Sequence, residues 1–199
     1  MIEQGKECIM NHSTQLSNVT KEYLKAYFGI LDEMIQGMTG VTLTDSISYN
    51  FIIQMIPHHR AAIEMCQNLL KYTTNIPLQN IACGIIEEQT KSIANMQEIQ
   101  HFCGRLGNCE RDLQLYQRRM DQIMQTMFDR MECARTTNQL NADFMWEMIP
   151  HHMGAVEMSK NTLQYEICPD LKPILDAIIV SQERGIRQMQ QLLCNPNLC

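Results

Sequence analysis

Several sequence patterns are missing from this 199-residue chain, and their absence excludes whole classes of protein. No two cysteines form a Cys-x-x-Cys arrangement, so the signatures of zinc ribbons, thioredoxin-like proteins and covalent c-type haem are absent. No apolar run approaches the roughly 18 residues of a membrane-spanning helix, so we expect no membrane span. The 16 Lys and Arg are outnumbered by 22 Asp and Glu and form no basic stripe, so we expect no nucleic-acid binding.

The polar segment 1–15 also lacks the apolar core of a signal peptide, so the sequence as it stands predicts a cytoplasmic protein. Glycine and proline are scarce, with 9 and 6 residues, and 45% of the chain is hydrophobic, which indicates a folded globular protein.

What the chain has in excess is sulfur, with 16 methionines and nine cysteines. We expect the cysteines to be unpaired thiols. The alternative is two local disulfides, in the Cys103/Cys109 and Cys194/Cys199 regions, or auxiliary ligands for a soft metal.

An internal repeat organises the chain. The segment Met55–Met65, MIPHHRAAIEM, recurs 93 residues later as MIPHHMGAVEM at Met148–Met158. Of the 49 positions in 51–99, 20 are identical to their counterparts, whereas average residue usage gives about three by chance. The chain is therefore an internal duplication.

Each repeat is predicted to contain three helices, and no strand pattern is found. Apolar residues at 3–4 spacing predict helices over 20–39, from a Thr44-Asp45 N-cap to about 72, over 78–99, and over 110–134, 138–165 and 170–193. Long helices joined by short turns pack antiparallel, so two hairpins form a four-helix bundle with one extra helix before each hairpin. We expect a tail at 1–19 and repeats at 20–109 and 110–199 that pack as one domain.

The repeated segment carries the candidate chemistry. At 100° per residue, both histidines and the second methionine of the first segment lie within an arc of about 120° around its first methionine. Gln89 and Met96 share one face of the next helix, since they are seven residues apart. Imidazole and thioether ligands favour Cu(I), with zinc or iron less expected. The predicted metal ligands are Met55, His58, His59, Met65, Met96, Met148, His151, His152, Met158 and Met189.

Two further sequence features bear on whether the histidine pairs bind a metal and on which metal they would bind. A di-iron site needs an inward Glu-x-x-His on two helices, and the one such spacing, Glu98 to His101, is not repeated. Pro57 and Pro150 each precede a histidine pair; they either kink a helix and free a carbonyl or mark the start of a new helix. If the freed carbonyls, of Ile53 and Trp146, bond the histidines, the pairs are structural.

The pattern Phe-x3-Met-Ile-Pro-His-His-x2-Ala-(Ile/Val)-x-Met, followed by Gln-x6-Met, resembles the bacterial family called domain of unknown function 305. It covers about 45–100 and 138–193. The resemblance implies a ferritin-like bundle of two similar hairpins, and some members are similar in being exported copper-binding proteins, which leaves an exported form open. The family pattern has Glu three residues after the Gln, where this chain has Ser92 and Gly185, so an oxygen ligand or its partner is lost.

The sequence thus favours a protein that binds and sequesters copper and exchanges it with an unknown donor or acceptor protein. A metal-dependent redox enzyme and a metal-free structural module are the alternatives. No nucleophile or general acid–base pair is visible, so the sequence favours a binding protein over an enzyme. Since only neutral imidazole binds a metal, we expect the affinity to fall below about pH 6.

Overall fold

The computed structural model describes residues 15–194, and within that range the chain is all-α, without strands. The expectation for the N-terminal tail falls largely on residues 1–14, outside the described residues. No helix between residues 15 and 194 is both long and apolar enough to cross a bilayer. The described chain forms six helices: α1 Asn18–Thr39, α2 Ile47–Leu70, α3 Ile76–Cys103, α4 Glu110–Glu132, α5 Leu140–Thr162 and α6 Leu171–Leu193.

The predicted helices are confirmed to within about three residues at their ends, except that α3 continues to Cys103, four residues past its predicted end. The predicted N-cap of α2 is wrong. The N-cap of α2 is Ser46, whose side chain accepts a hydrogen bond from the backbone N–H of Tyr49 at 3.3 Å, and not Thr44 or Asp45. Thr44 instead accepts from the N–H of Ser46. Three neighbouring residues can all cap a helix, and the sequence does not show which hydroxyl faces the first free N–H groups.

The helices form a bundle in which four of them close a ring. Helix α2 packs against α3 and α5, and α6 packs against α5 and α3. The extra helices lie outside this ring, α1 against α2 and α4 against α5. Buried thioethers fill much of the space between helices, since flexible methionine side chains suit irregular gaps; the buried examples outside the candidate ligands are Met34, Met38, Met120, Met124, Met127, Met131 and Met145.

Contacts recur at the same offset of 93 as the sequence repeat. The rings of Tyr23 and Tyr72 meet edge-on with centroids 6.0 Å apart, and those of Tyr116 and Tyr165 do so at 5.7 Å. The amide of Asn68 donates to the carbonyl of Tyr23, as the amide of Asn161 donates to that of Tyr116. The duplication therefore preserves the way in which the outer helix of each repeat is fastened to the bundle.

Both prolines lie inside continuous helices, Pro57 in α2 and Pro150 in α5. The alternative, in which a new helix begins at each proline, is therefore wrong. A proline within a helix removes one intrahelical hydrogen bond, so the helix backbone is weakened one turn before each histidine pair.

Among the described residues, one disulfide crosses the bundle, between Cys103 and Cys168. It joins the end of α3 to the turn that precedes α6, and both residues are buried. The expectation of unpaired cysteines is wrong for this pair. The alternative of a local Cys103/Cys109 disulfide is wrong too, since Cys109 is free, and Cys199 of the other local pair lies outside the described residues. The pairing is long-range, with a sequence separation of 65 residues. It follows from how the two hairpins pack, which cysteine spacing alone does not show.

Candidate metal centre

All ten predicted ligand residues are buried in the bundle, each with 2% or less of its surface exposed. The two histidine pairs lie at the middle of α2 and α5, which are neighbouring helices of the ring and pack against each other. Charged or polar side chains are rarely placed in such a position without a specific partner. The contacts of each histidine therefore decide what the centre can do.

His58 and His151 are stacked on one another and bonded crosswise. Their ring centroids are 3.7 Å apart with an interplanar angle of 31°. Nε2 of His58 lies 3.2 Å from the carbonyl oxygen of His151, and Nε2 of His151 lies 3.1 Å from that of His58. The histidines thus bond to each other's carbonyls, and not to the carbonyls of Ile53 and Trp146 that the prolines free.

These crossed contacts fix the tautomer of both rings. A carbonyl oxygen can only accept a hydrogen bond, so each Nε2 must carry the proton and donate it. In a neutral imidazole the other nitrogen, Nδ1, then carries no proton, and its lone pair is free to accept a hydrogen bond or to bind a metal ion. Within residues 15–194 the Nδ1 atoms of all four histidines, His58, His59, His151 and His152, are buried without a hydrogen-bond partner.

The outer histidine of each pair meets a different residue in the two repeats. Nε2 of His59 lies 3.0 Å from the hydroxyl oxygen of Ser92 on α3. The residue 93 positions later is Gly185 on α6, and a Cβ built there would lie 2.8 Å from Cδ2 and 2.9 Å from Nε2 of His152. His59 is therefore held by a side chain, whereas the His152 ring packs directly on the α6 backbone.

The thioethers follow the same helical faces. Met55 and Met148 lie one turn before the histidine pairs, at the i,i+3 and i,i+4 spacing that brings side chains together. Met96 and Met189 lie one turn after Ser92 and Gly185, on the helices that cover the histidines. Each is completely buried. A thioether in a dry core is a neutral, soft donor.

Burial keeps the histidines neutral. Desolvation lowers the pKa of His59 to about 3 and that of His151 to about 4. It also lowers the pKa of His58 and His152 well below 6.5, helped by neighbouring imidazoles. The pH of about 6 expected for the loss of metal affinity is therefore too high for the folded protein. Protons compete with a metal ion for these nitrogens only at much lower pH.

A buried carboxyl group lies one turn before His151, and sequence reasoning missed it. The hydroxyl of Tyr23 donates to Oε2 of Glu147 at 2.5 Å, and burial raises the pKa of Glu147 to about 8. The repeat-equivalent residue is Gln54, whose amide donates to the carbonyl of Met38 at 3.4 Å. The signal was available, since Glu147 precedes His151 by four residues and so shares its buried face.

Burial favours the uncharged forms of the four histidines and of Glu147 in the metal-free centre. In the described part of the chain, no group of three or more His, Cys, Asp or Glu side chains is arranged to hold a metal ion. A site here would have to combine imidazole nitrogens with thioether sulfurs. Such a set of neutral donors suits a soft ion of low charge better than a hard divalent ion.

The model of the family described as Domain of unknown function (DUF305) matches residues 30–100 and 48–193. The chain belongs to the DUF305 family. A crystal structure of a DUF305 fragment from Deinococcus radiodurans aligns with a TM-score of 0.54 at 22% identity, over 74% of this chain and 95% of that one, which shows a shared fold.

Two further structures are of CopM in its silver-bound form. The one obtained by soaking aligns with this DUF305 chain with a TM-score of 0.54 at 27% identity, over 76% of this chain and 95% of that one. The one obtained by co-crystallization aligns with the same score and identity over 75% and 95%. No curated protein matches the chain significantly.

Proposed function

We propose that this protein binds and sequesters a soft monovalent metal ion, with Cu(I) as the biological ion and Ag(I) as its laboratory substitute. The observation that carries the proposal is the set of four buried Nδ1 atoms. Hydrogen bonds from the opposite nitrogen set the tautomer of His58 and His151, as is usual for histidines that bind metals. An unpartnered buried nitrogen is costly, and a metal ion would satisfy it.

Charge favours Cu(I) over zinc, iron and Cu(II). The cost of burying an ion grows with the square of its charge, and a neutral centre offers no counter-charge. Burial raises the pKa of Glu147 to about 8 in the metal-free protein, which favours its neutral form and limits the counter-charge it offers. The silver-bound form of CopM, a structural neighbour, adds support because Ag(I) and Cu(I) share soft monovalent chemistry.

The test is anaerobic Cu(I) titration against a chromogenic competitor. We expect His59→Gln and His152→Gln each to weaken Cu(I) binding by at least tenfold, the equivalent of about 1.4 kcal/mol. His101→Ala is the matched control, since His101 is an exposed histidine on α3 outside the centre. No Cu(I) binding by the wild type, or binding that both Gln substitutions leave unchanged, would rule the proposal out.

A structural role without metal is the second candidate, and the crossed contacts favour it. The hydrogen bonds between His58 and His151 join α2 to α5 without any ion. In that case Cu(I) or Ag(I) would leave the melting temperature unchanged. A bound ion present at a hundred times its Kd would instead raise the free energy of unfolding by about 2.7 kcal/mol, and the melting temperature with it. No specific observation favours the remaining alternative, a metal-dependent redox enzyme.

We also propose that the bundle is ferritin-like, with hairpins α2–α3 and α5–α6 packed as one domain, and that the protein works in an oxidising compartment. The buried Cys103–Cys168 disulfide supports that compartment over the cytoplasm, where thiols are kept reduced. Thiol trapping followed by mass spectrometry of protein from its native host tests this. Free thiols at both positions would support the cytoplasmic expectation instead.

A further inference from the structure

Two surface grooves run along the seam between α3 and α6, and the internal repeat relates them to one another. One has a volume of about 500 Å³ and the other about 470 Å³. The exposed ion pair between Glu88 and Arg184 borders both grooves. A perfectly symmetric duplication would give the buried histidines two equal routes to solvent.

The two grooves end on different residues. The larger groove is lined by His59 and Ser92, so it reaches the side chain of a candidate ligand. The smaller groove is lined by Gly185, and the His152 ring, which packs on the backbone at that position, is not among its lining residues. The difference matches the residues present, since Ser92 places a side chain between α3 and His59, whereas Gly185 places none between α6 and His152.

The floor of the larger groove holds two further buried polar groups without partners. Gln89 on α3 and Gln182 on α6 occupy repeat-equivalent positions, and both line this groove. They are 2% and 3% exposed, and within the described chain neither side-chain oxygen has a hydrogen-bond partner. A buried amide oxygen without a donor is uncommon, and it is free to accept a cation.

The groove does not suit a hard divalent ion. Among the described residues that line it, Glu88 is the one acid, and it is paired with Arg184, while Lys91 adds a positive charge. The remaining groups available to an entering ion are neutral: the side chains of Gln89, Gln182 and His59, which line the groove and lie just beneath its surface. Oxygen donors of this kind can replace its water molecules but bind a soft ion weakly, so that the ion passes on to nitrogen and sulfur donors.

We propose that Gln89, Gln182 and His59 form an entry site, at the floor of the larger α3–α6 groove, through which a soft monovalent cation reaches and leaves the buried centre. The proposal rests on the proposed function of that centre. Nε2 of His59 is engaged by Ser92, which itself lines the groove, while Nδ1 of the same ring is buried and has no hydrogen-bond partner among the described residues. Since His152 does not line the smaller groove, exchange in this proposal takes place at the His59 face of the bundle.

An entry site changes the rates of loading and release together and leaves the equilibrium affinity unchanged. The experiment loads the full chain with Cu(I) and follows its release to a coloured chelator by anaerobic stopped-flow, at chelator concentrations where the rate no longer depends on the chelator. Competition titration gives the Kd, and the loading rate is then calculated from the Kd and the release rate. We expect the double variant Gln89→Leu/Gln182→Leu to slow release about tenfold with the Kd within a factor of two.

Gln54→Leu is the matched control. Gln54 is equally buried and also has an unpartnered side-chain oxygen, but it lies on α2 against Met38 and Met124, away from the groove. We expect wild-type release rates from it. If the double variant does not fold, as judged by circular dichroism, the milder Gln182→Ala takes its place, with an expected slowing of about threefold.

Three outcomes overturn the proposal in different ways. Release rates equal to wild type in the groove variants show that the ion takes another route. If the groove variants instead release the ion faster and their Kd rises by the same factor, the two glutamines belong to the final binding site. A wild type that binds no Cu(I) overturns the proposed function itself, and is recognised before any rate is measured.

Discussion

Acidification of the metal-free protein should destabilise the fold through its four buried histidines. Burial holds the pKa of His59 at about 3 and that of His151 at about 4, and holds those of His58 and His152 well below 6.5. As the pH falls below 6.5, the unfolded chain binds protons that the folded chain does not. The free energy of unfolding therefore falls, by about 1.4 kcal/mol per histidine between pH 7.5 and pH 5.5, or about 5.5 kcal/mol for four.

Glu147 works in the opposite direction. Burial raises its pKa to about 8 from an ordinary value of 4.5, so the folded chain keeps a proton that the unfolded chain releases. Its contribution is full below pH 4.5 and is lost as the pH rises toward 8, which means that acidification from pH 7.5 to pH 5.5 restores about 2.5 kcal/mol. The net expected loss is about 3 kcal/mol, a large part of a typical stability of about 5–15 kcal/mol.

The assay is urea unfolding followed by circular dichroism at pH 7.5 and pH 5.5, with a chelator present. Glu147→Gln, which installs the residue found at the repeat-equivalent Gln54, removes the opposing contribution. We expect that variant to be more stable than wild type at pH 7.5 and to lose about 5.5 kcal/mol on acidification. A wild-type free energy of unfolding that is unchanged or higher at pH 5.5, or an identical pH dependence in the variant, would refute the reasoning.

The remaining predictions concern the disulfide and the glycine contact. Replacing both Cys103 and Cys168 by Ser should lower the free energy of unfolding by about 4 kcal/mol, as loop-closure entropy gives for a 65-residue separation; a urea midpoint equal to wild type would contradict this. Gly185→Ala should displace the His152 ring, cost about 1–3 kcal/mol and weaken Cu(I) binding. Gly84→Ala is its control on α3, because within the described structure an added Cβ there meets nothing within 4 Å and should stabilise the helix by up to about 1 kcal/mol. Equal melting temperatures of the two glycine variants would count against the close contact.

The helices and the buried faces were predictable because they depend on local patterns. The 3–4 spacing of apolar residues in each repeat gave the bounds of α1 to α6 closely, and the duplicated Met-His-His segment identified residues that are all buried. A repeated pattern of this kind reports the environment of a residue, because two copies must satisfy the same packing.

The partners across the bundle were not predictable, because they depend on how α2 and α5 are offset. The exchange of hydrogen bonds between His58 and His151 exists only when both helices cross at these residues. The pairing of Cys103 with Cys168 depends in the same way on the packing of the two hairpins. Spacing along the chain fixes which face a residue occupies, and it leaves open which residue lies opposite.

The central claim is that the unpartnered Nδ1 atoms bind the ion, and long-range ¹H–¹⁵N NMR of the imidazole rings tests it most directly. In the metal-free protein we expect His58 and His151 to show a protonated Nε2 and a lone-pair Nδ1. Addition of one equivalent of Ag(I) should shift Nδ1 resonances in the cluster and leave the Nε2–H signals in place, while exposed His101 stays unchanged. Nδ1 resonances that do not move, or Ag(I)-induced shifts at Nε2 instead, would contradict the account.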